Sequence, residues 1–261
     1  MYNIEKFLSE LEEYAPLKIS HAVIKNGGYD NSGVIIKSTE SVNKIIFTLD
    51  LSIESVKKAV RLKCDTIVTH HPAIYSPIKE LEFDGSSASV LMAVQNKLNV
   101  ISFHLNLDMA NDGIDENLCK GLGGKNFKIL DKVLDDFGYG REFDIKPTKL
   151  SAFVGKVKEE FSTNRVVVYG NKNAVIKKCA SFCGGGASSA HKAVLDGLTD
   201  ADLIITSDAP HHVIKDLVEK GKSILLLTHY ASENYGFKLF YEKVKEDKKL
   251  DAFFFEDKRF M

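Results

Sequence analysis

Short, uninterrupted apolar runs such as Ile224-Leu225-Leu226-Leu227 recur along this chain and alternate with stretches of helical periodicity. A strand that is apolar on both faces must be covered on both faces, which is typical of parallel sheets flanked by helices. The other runs that we predict as central strands are Lys44–Leu49, Thr66–Thr69, Val100–Phe103 and Leu203–Thr206. The pattern therefore predicts an α/β fold with mostly parallel sheets flanked by helices.

The chain length allows one large core or two modest lobes, since it contains 261 residues. The pattern is least regular between Lys125 and Lys146, where glycines lie among mixed charges. We therefore predict an N-terminal α/β lobe of residues 1–125, a linker or small hairpin of residues 126–146, and a C-terminal α/β lobe of residues 147–261.

Composition and charge narrow the classes of partner. A net charge of -1 gives no overall attraction to nucleic acid or to an anionic membrane. No apolar run approaches the ~18 residues of a membrane span, and the four glutamates before Tyr14 argue against a signal peptide. The four cysteines form no C-x-x-C pair. We expect a cytoplasmic protein with reduced, structural cysteines.

Four predicted strands end in the same way, with small polar residues followed by histidine or a carboxylate. The residues at these four ends are His70 and His71, then His104 and Asp108, then Asp208, His211 and His212, and finally His229 and Glu233. Because parallel strands end at one edge of a sheet, such side chains can converge in the crevice there. Imidazole and carboxylate groups together are ligands for divalent Zn, Fe, Mn or Co.

The pairing of His70 with His71 is compatible with two metal ions, because adjacent residues of a strand point to opposite sides of the pleat. A single buried histidine is more often a hydrogen-bonded structural residue than a ligand. The metal hypothesis therefore depends on the recurrence of the pattern at four strand ends.

The turn Cys183-Gly184-Gly185-Gly186 joins a predicted strand to a predicted helix. Its backbone N–H groups could cradle a phosphate. The turn lacks the lysine of a P-loop, however, and close packing of the strand against the helix explains the glycines equally well.

Several of these motifs resemble those of the NIF-three-like (NGG-one interacting factor three) proteins, also called GTP cyclohydrolase 1 type 2 homologues. The N-terminal motifs are Tyr29-Asp30-Asn31-Ser32-Gly33, Thr69-His70-His71-Pro72 and His104-x-x-x-Asp108. The C-terminal motifs are Cys183-Gly184-Gly185-Gly186, Thr206-Ser207-Asp208 and His229-x-x-x-Glu233. Tyr29 stands where the family usually has Trp, and Ser207 where it usually has Gly, so neither departure removes a ligand.

The resemblance implies two similar α/β lobes, a dinuclear metal site in the cleft between them, and a ring-like homo-hexamer. By position, the implied metal ligands are His70, His71, Asp108, His229 and Glu233. His104 is expected to support a ligand. Asp208 and His212 match polar positions that line the cleft.

We therefore predict two divalent metal ions per chain (Zn, Fe, Mn or Co) and a metal-dependent hydrolase acting on a nucleotide or phosphoester-type small molecule. Asp208 and His212 are the candidate proton-transfer groups. The first alternative is a non-enzymatic ring that handles metal or binds partners. The second is a nucleic-acid-binding ring, against which the near-neutral charge argues.

Overall fold

A computed structural model describes residues 2–85 and 87–261 of the chain. The fold divides into two compact units. The first unit comprises Met1–Ala110 and Phe237–Arg259, and the second comprises Asn111–Gly236 and Phe260–Met261.

The first unit contains a five-stranded sheet and a small two-stranded sheet. Its strands are β1 (Tyr2–Asn3), β2 (Gly33–Ile36), β3 (Ser41–Val42), β4 (Lys44–Thr48), β5 (Thr66–Thr69) and β6 (Asn99–Ser102). Its helices are α1 (Ile4–Glu12), α2 (Leu17–Lys25), α3 (Ile53–Leu62), α4 (Ala88–Gln95) and α5 (Leu105–Met109). The predicted strand Thr66–Thr69 is confirmed to the residue.

The central strands of this sheet are parallel, and their register places their carboxyl ends side by side. Strand β5 lies between β4 and β6, with Thr69 opposite Thr48 on one side and Ser102 on the other. Strand β2 runs antiparallel to β6 at the edge. The residues after Thr48, Thr69 and Ser102 therefore all emerge at one edge of the sheet.

Helix α3 shows how the sequence places these strand ends. Ser52 is its N-cap, and the Ser52 hydroxyl accepts a hydrogen bond from the Ser55 backbone N–H at 3.1 Å. The Ser55 hydroxyl in turn accepts from the Ser52 backbone N–H at 2.8 Å. This reciprocal capping box satisfies two N–H groups and begins the helix in the segment that follows β4.

The second unit contains a six-stranded sheet. Its strands are β7 (Lys125–Leu134), β8 (Phe137–Lys149), β9 (Val167–Tyr169), β10 (Val175–Ser181), β11 (Leu203–Thr206) and β12 (Ser223–Leu226). Its helices are α6 (Ile114–Gly121), α7 (Leu150–Glu160), α8 (Ala187–Leu195) and α9 (His211–Glu219). Helix α10 (His229–Lys248) begins in this unit. The last strand, β13 (Asp251–Phe255), belongs to the first unit.

The sheet of the second unit is mixed, whereas we predicted a mostly parallel one. Its centre is parallel, from β10 through β11 to β12. Strand β8 runs antiparallel to β10, and β9 antiparallel to β12. Strands β7 and β8 form a hairpin, whose short connection requires antiparallel pairing. The prediction of parallel pairing therefore holds for the central strands, which are continuous apolar runs, and not for the strands toward the edges of the sheet.

The chain divides at other positions than those we predicted. Residues 126–146, which we expected as a linker or small hairpin, do lie in a hairpin, but this β7–β8 hairpin is part of the six-stranded sheet and does not link two lobes. Residues 237–259, expected in the C-terminal lobe, belong to the first unit. There β13 pairs in parallel with β4, and the Phe237 ring packs 6.2 Å from that of Phe47. Burial of these aromatic rings accounts for the return of the chain to the first unit.

The four cysteines are buried and form no disulfide bonds. Burial raises the pKa of the Cys119 thiol to about 12, so this thiol is protonated and unreactive at neutral pH. The predicted structural role of the cysteines is confirmed.

None of the helices within residues 2–85 and 87–261 combines the length and the apolar character needed to cross a membrane.

Candidate metal centre

His70 follows the last residue of β5 and is fully buried. Its ring Nδ1 lies 2.8 Å from the carbonyl oxygen of Phe103. Because a carbonyl can only accept, Nδ1 carries the proton, and Nε2 of the neutral ring keeps its lone pair. Nε2 faces the Asp108 carboxylate at 3.5 Å, so the two predicted ligands of this pair lie together.

His71 and His104 are oriented in the same way by carboxylates. Nδ1 of His71 lies 2.7 Å from the Asp50 carboxylate, and Nδ1 of His104 lies 2.8 Å from the Asp30 carboxylate. Asp30 is buried and also accepts a hydrogen bond from the Ser32 hydroxyl at 2.7 Å. Each carboxylate therefore directs the other ring nitrogen, Nε2, away from itself.

The three imidazole rings form a compact cluster in the first unit. One nitrogen of each of His70, His71 and His104 lies within 4.8 Å of the other two. The ring centroid of His70 lies 4.8 Å from that of His71 and 5.3 Å from that of His104. We predicted that His104 supports a ligand, and its ring lies beside those of both neighbouring histidines.

A hydroxyl network fixes the turn that carries His71. Thr69 Oγ1 donates to the carbonyl oxygen of His71 at 2.8 Å and lies 2.7 Å from Ser102 Oγ. Ser102 Oγ also accepts from the backbone N–H of Ala73 at 3.2 Å. The parallel register of β5 and β6 places Thr69 beside Ser102. These hydrogen bonds therefore fix the conformation of the turn after β5.

In the second unit, His229 begins α10 and lies beside Glu233. His229 Nε2 is 3.1 Å from the Glu233 carboxylate, which is buried. The four-residue spacing brings the two side chains to one face of the helix. Nδ1 of His229 contacts the Asp208 carboxylate, so this ring too has a carboxylate on Nδ1 and a ligand group near Nε2.

The glycine turn after β10 packs against Glu233. Gly184 has a φ of +51°, and a Cβ atom on it would lie 1.9 Å from Glu233 Oε1. The Gly184 backbone N–H donates to the Ser232 hydroxyl at 3.0 Å, and this hydroxyl donates to the His229 carbonyl at 2.8 Å. Close approach to Glu233 therefore explains this glycine, which favours the packing alternative over a phosphate cradle.

A buried ion pair also contacts the glycine turn. Asp115 accepts a hydrogen bond from the Cys183 backbone N–H at 3.2 Å and lies 3.4 Å from Nη1 of Arg141. Both side chains are fully buried. Burial raises the pKa of Asp115 to about 6, and the Arg141 guanidinium offsets this only in part. The pair connects α6, β8 and the glycine turn.

The remaining predicted site residues differ in their surroundings. Asp208 is engaged with Nδ1 of His229, which makes it a group that orients this ring. His212 is exposed in the first turn of α9. Within the part of the chain that the structure describes, no hydrogen bond or ion pair joins His212 to Asp208 or His229.

Sequence reasoning missed the roles of Asp30 and Asp50 as partners of imidazole rings. Asp50 follows the run Phe47-Thr48-Leu49 and so repeats the strand-end pattern of the other site residues. That signal could have identified it. Asp30 lies 74 residues from His104, and only the pairing of β2 with β6 brings the two segments together.

Both units carry imidazole and carboxylate groups, the donor types that divalent transition metals bind. Metal-binding histidines characteristically donate their second N–H to a carboxylate or backbone carbonyl, and all four site histidines do so. The carboxylates of Asp108 and Glu233 are buried. Burial of a carboxylate is costly unless a cation compensates its charge, and a metal ion would supply that charge.

These two α/β units and their histidine–carboxylate groups define a class of protein. The chain belongs to the Duf34/NIF3 (NGG1p interacting factor 3) family, whose family model matches residues 2–259. The predicted resemblance is therefore confirmed over nearly the whole chain.

Individual relatives match over most of their length. A Clostridium perfringens protein named GTP cyclohydrolase 1 type 2 homolog is 29% identical over 248 residues, which cover 93% of this chain and 91% of that protein. The protein NIF3 homolog of Schizosaccharomyces pombe is 28% identical, with 78% and 77% covered. The structure of reduced HcgD from Methanocaldococcus jannaschii superposes with a TM-score of 0.81 at 25% identity, with 98% of each chain covered.

Proposed function

We propose that this protein is a metal-dependent hydrolase that holds two divalent ions and acts on a nucleotide or phosphoester-type small molecule. The proposed ligands are His70, His71, Asp108, His229 and Glu233. Five protein ligands leave coordination positions of two ions open for water and substrate. His/carboxylate donor sets accept Zn, Fe, Mn or Co, and these are the ions to test.

One observation carries the proposal: the Nδ1 atoms of His70, His71 and His229 each face a carbonyl or carboxylate acceptor. In all three rings the acceptor selects the tautomer with the proton on Nδ1, which leaves Nε2 as the nitrogen that can bind a metal ion. The burial of Glu233 beside His229 Nε2 supports the same assignment.

The chain's own residues have distinct roles in this proposal. When bound, a pair of divalent ions lowers the pKa of a water molecule and stabilises negative charge on the substrate. Asp50 and Asp208 hold the rings of His71 and His229 in orientation. Gly184 leaves the space that the Glu233 carboxylate occupies. His212, which is exposed on α9, remains the predicted proton-transfer group.

The names of relatives suggest where a substrate screen should begin. The Clostridium perfringens relative is called a GTP cyclohydrolase 1 type 2 homolog. We therefore propose that the screen include GTP and other nucleotides beside simple phosphoesters.

The first test is elemental analysis of the purified chain beside two matched variants, His70→Ala and His21→Ala. His21 is exposed in α2, so its removal tests a histidine outside the site. We expect about two metal ions per chain in the wild type and in His21→Ala, and a clear loss in His70→Ala. No stoichiometric metal after reconstitution with Zn, Fe, Mn and Co would contradict the proposal.

Turnover separates the hydrolase from a metal-handling protein. We expect the metal-loaded wild type to hydrolyse a nucleotide or phosphoester, and His70→Ala to have lost this activity. Stoichiometric but readily exchanged metal without turnover across the screen would instead identify a protein that stores, delivers or senses metal.

A further inference from the structure

Two tyrosines form an exposed aromatic pair beside the histidine cluster of the first unit. Tyr29 and Tyr75 are 49% and 51% exposed. Their rings lie 5.0 Å apart at an interplanar angle of 75°. The Tyr75 ring lies 6.0 Å from the ring of His104. Tyrosine rings carry a large apolar surface, and here that surface is accessible next to a candidate metal site.

The aromatic pair is held in place by polar contacts. The Tyr29 hydroxyl donates to the backbone carbonyl of Tyr75. The Asn31 side-chain amide donates to the carbonyl of Ile74 at 2.6 Å. The segment before β2 thus holds the segment after His71 at two successive residues. The backbone that carries the Tyr29 and Tyr75 rings is therefore fixed, which lowers the entropic cost of binding a ligand.

A cavity adjoins the pair and is lined by Tyr75. Its volume is about 400 Å³, within the range of roughly 300 to 1,000 Å³ that is typical of small-molecule sites. Its lining combines the apolar side chains of Ile74, Ile78 and Val90 with the charged Lys79 and Glu80. Tyr75 therefore contacts both this cavity and His104.

We propose that Tyr29 and Tyr75 bind a flat aromatic or heteroaromatic ring of the ligand, such as a nucleobase. The π-faces of exposed tyrosines stack on any base, whereas the charged rim can contact its polar edge. The contact between Tyr75 and His104 places that ring next to the histidine cluster. The inference deepens the proposed function, on which it rests, because it names the substrate class as one that carries such a ring.

The test measures binding of adenosine and of ribose to the purified full-length chain by ligand-observed NMR or calorimetry. Adenosine has the aromatic ring and no phosphate, and ribose has neither. We expect adenosine to bind more tightly than ribose. Tyr75→Leu removes the aromatic face and keeps an apolar side chain, and it should weaken adenosine binding roughly tenfold or more.

Two further variants serve as controls. Tyr75→Phe retains the ring and should retain adenosine affinity. Tyr169→Ala removes a tyrosine that is 38% exposed in β9 of the second unit and should have no effect. Equal adenosine affinity of Tyr75→Leu and the wild type, or adenosine binding no tighter than that of ribose, would overturn the inference.

This outcome is distinguishable from failure of the proposed hydrolase. Adenosine binding through Tyr75 in a chain without turnover would leave the aromatic site standing and reject the hydrolase. If the chain does not bind adenosine, and its turnover of a phosphoester is unchanged by Tyr75→Leu, the hydrolase would stand and the aromatic site would be rejected.

Discussion

At the scale of single residues, the site depends on groups that touch the predicted ligands. Each imidazole of the site has a partner on Nδ1, and these partners are separated from it in sequence by as much as 74 residues. A partner of this kind fixes the tautomer and the orientation of the ring. In the proposed metal site, the affinity for metal would therefore depend on carboxylates such as Asp50 as well as on the histidines.

Replacement of Asp50 by alanine tests this dependence. The His71 ring would lose the acceptor that lies 2.7 Å from its Nδ1, and we expect metal affinity to fall about 10- to 100-fold. Competition with a chelator of known affinity would measure the change. Asp200→Ala, which removes an exposed carboxylate paired with Lys178, is the control. Equal affinities of the two variants would show that Asp50 does not orient a ligand.

Gly184 provides a second test at this scale. In Gly184→Ala the new Cβ would overlap Glu233 Oε1, and the positive φ adds about 1 to 2 kcal/mol of strain. We expect metal content to fall and the midpoint of thermal unfolding to drop. Gly185→Ala is the matched control, since a Cβ there meets no atom within 4 Å. Similar metal content in both variants would contradict the role assigned to Gly184.

At the scale of elements, the β7–β8 hairpin and α6 together support the glycine turn. Arg141 on β8 donates to the carbonyl of Gly138 at 2.8 Å and lies beside Asp115 on α6. Asp115 then accepts from the Cys183 backbone N–H. The turn is therefore positioned by two elements that lie far from it in sequence, through a charge pair whose burial is costly.

The raised pKa of Asp115 predicts a pH dependence of stability. Between about pH 4 and pH 6 the unfolded chain loses this proton before the folded chain does, because the folded pKa is about 6. The free energy of unfolding of the wild type, relative to Asp115→Asn, should therefore fall as pH rises from 4 to 7. A pKa difference of about two corresponds to a fall on the order of 3 kcal/mol.

Denaturant unfolding of both proteins at pH 4 and pH 7 would measure this fall. The chains should be treated with EDTA, so that metal binding adds no pH dependence of its own. A difference that stays constant or grows with pH would show that the attraction of Arg141 exceeds the cost of burying the carboxylate.

At the scale of the whole molecule, we propose that the chain assembles into a homo-hexameric ring, as the family resemblance implies. The chain has a mass of 29.0 kDa, so native mass spectrometry should give a species of about six times that mass. A closed ring of identical subunits has a defined number of copies, so one mass should dominate. A monomeric mass at micromolar concentration would contradict the ring.

The central strands could be predicted because their signal is local. Thr66–Thr69 and Leu203–Thr206 are short apolar runs between polar residues, and the structure has the same bounds. The antiparallel direction of the edge strands in the second sheet could not be predicted in the same way. Strand β9 is only three residues long and largely exposed, so nothing in its composition indicates that it pairs antiparallel to β12.

The site divides along the same line. The sequence by itself determined the candidate donor residues, because histidine and carboxylate side chains recur directly after apolar strands and parallel strands end at one edge. Only the tertiary structure decided which nitrogen of each ring is held, which carboxylate holds it, and why Gly184 carries no side chain. These are contacts between segments far apart in sequence, and their partners are set by strand register and packing, to which a local pattern carries no signal.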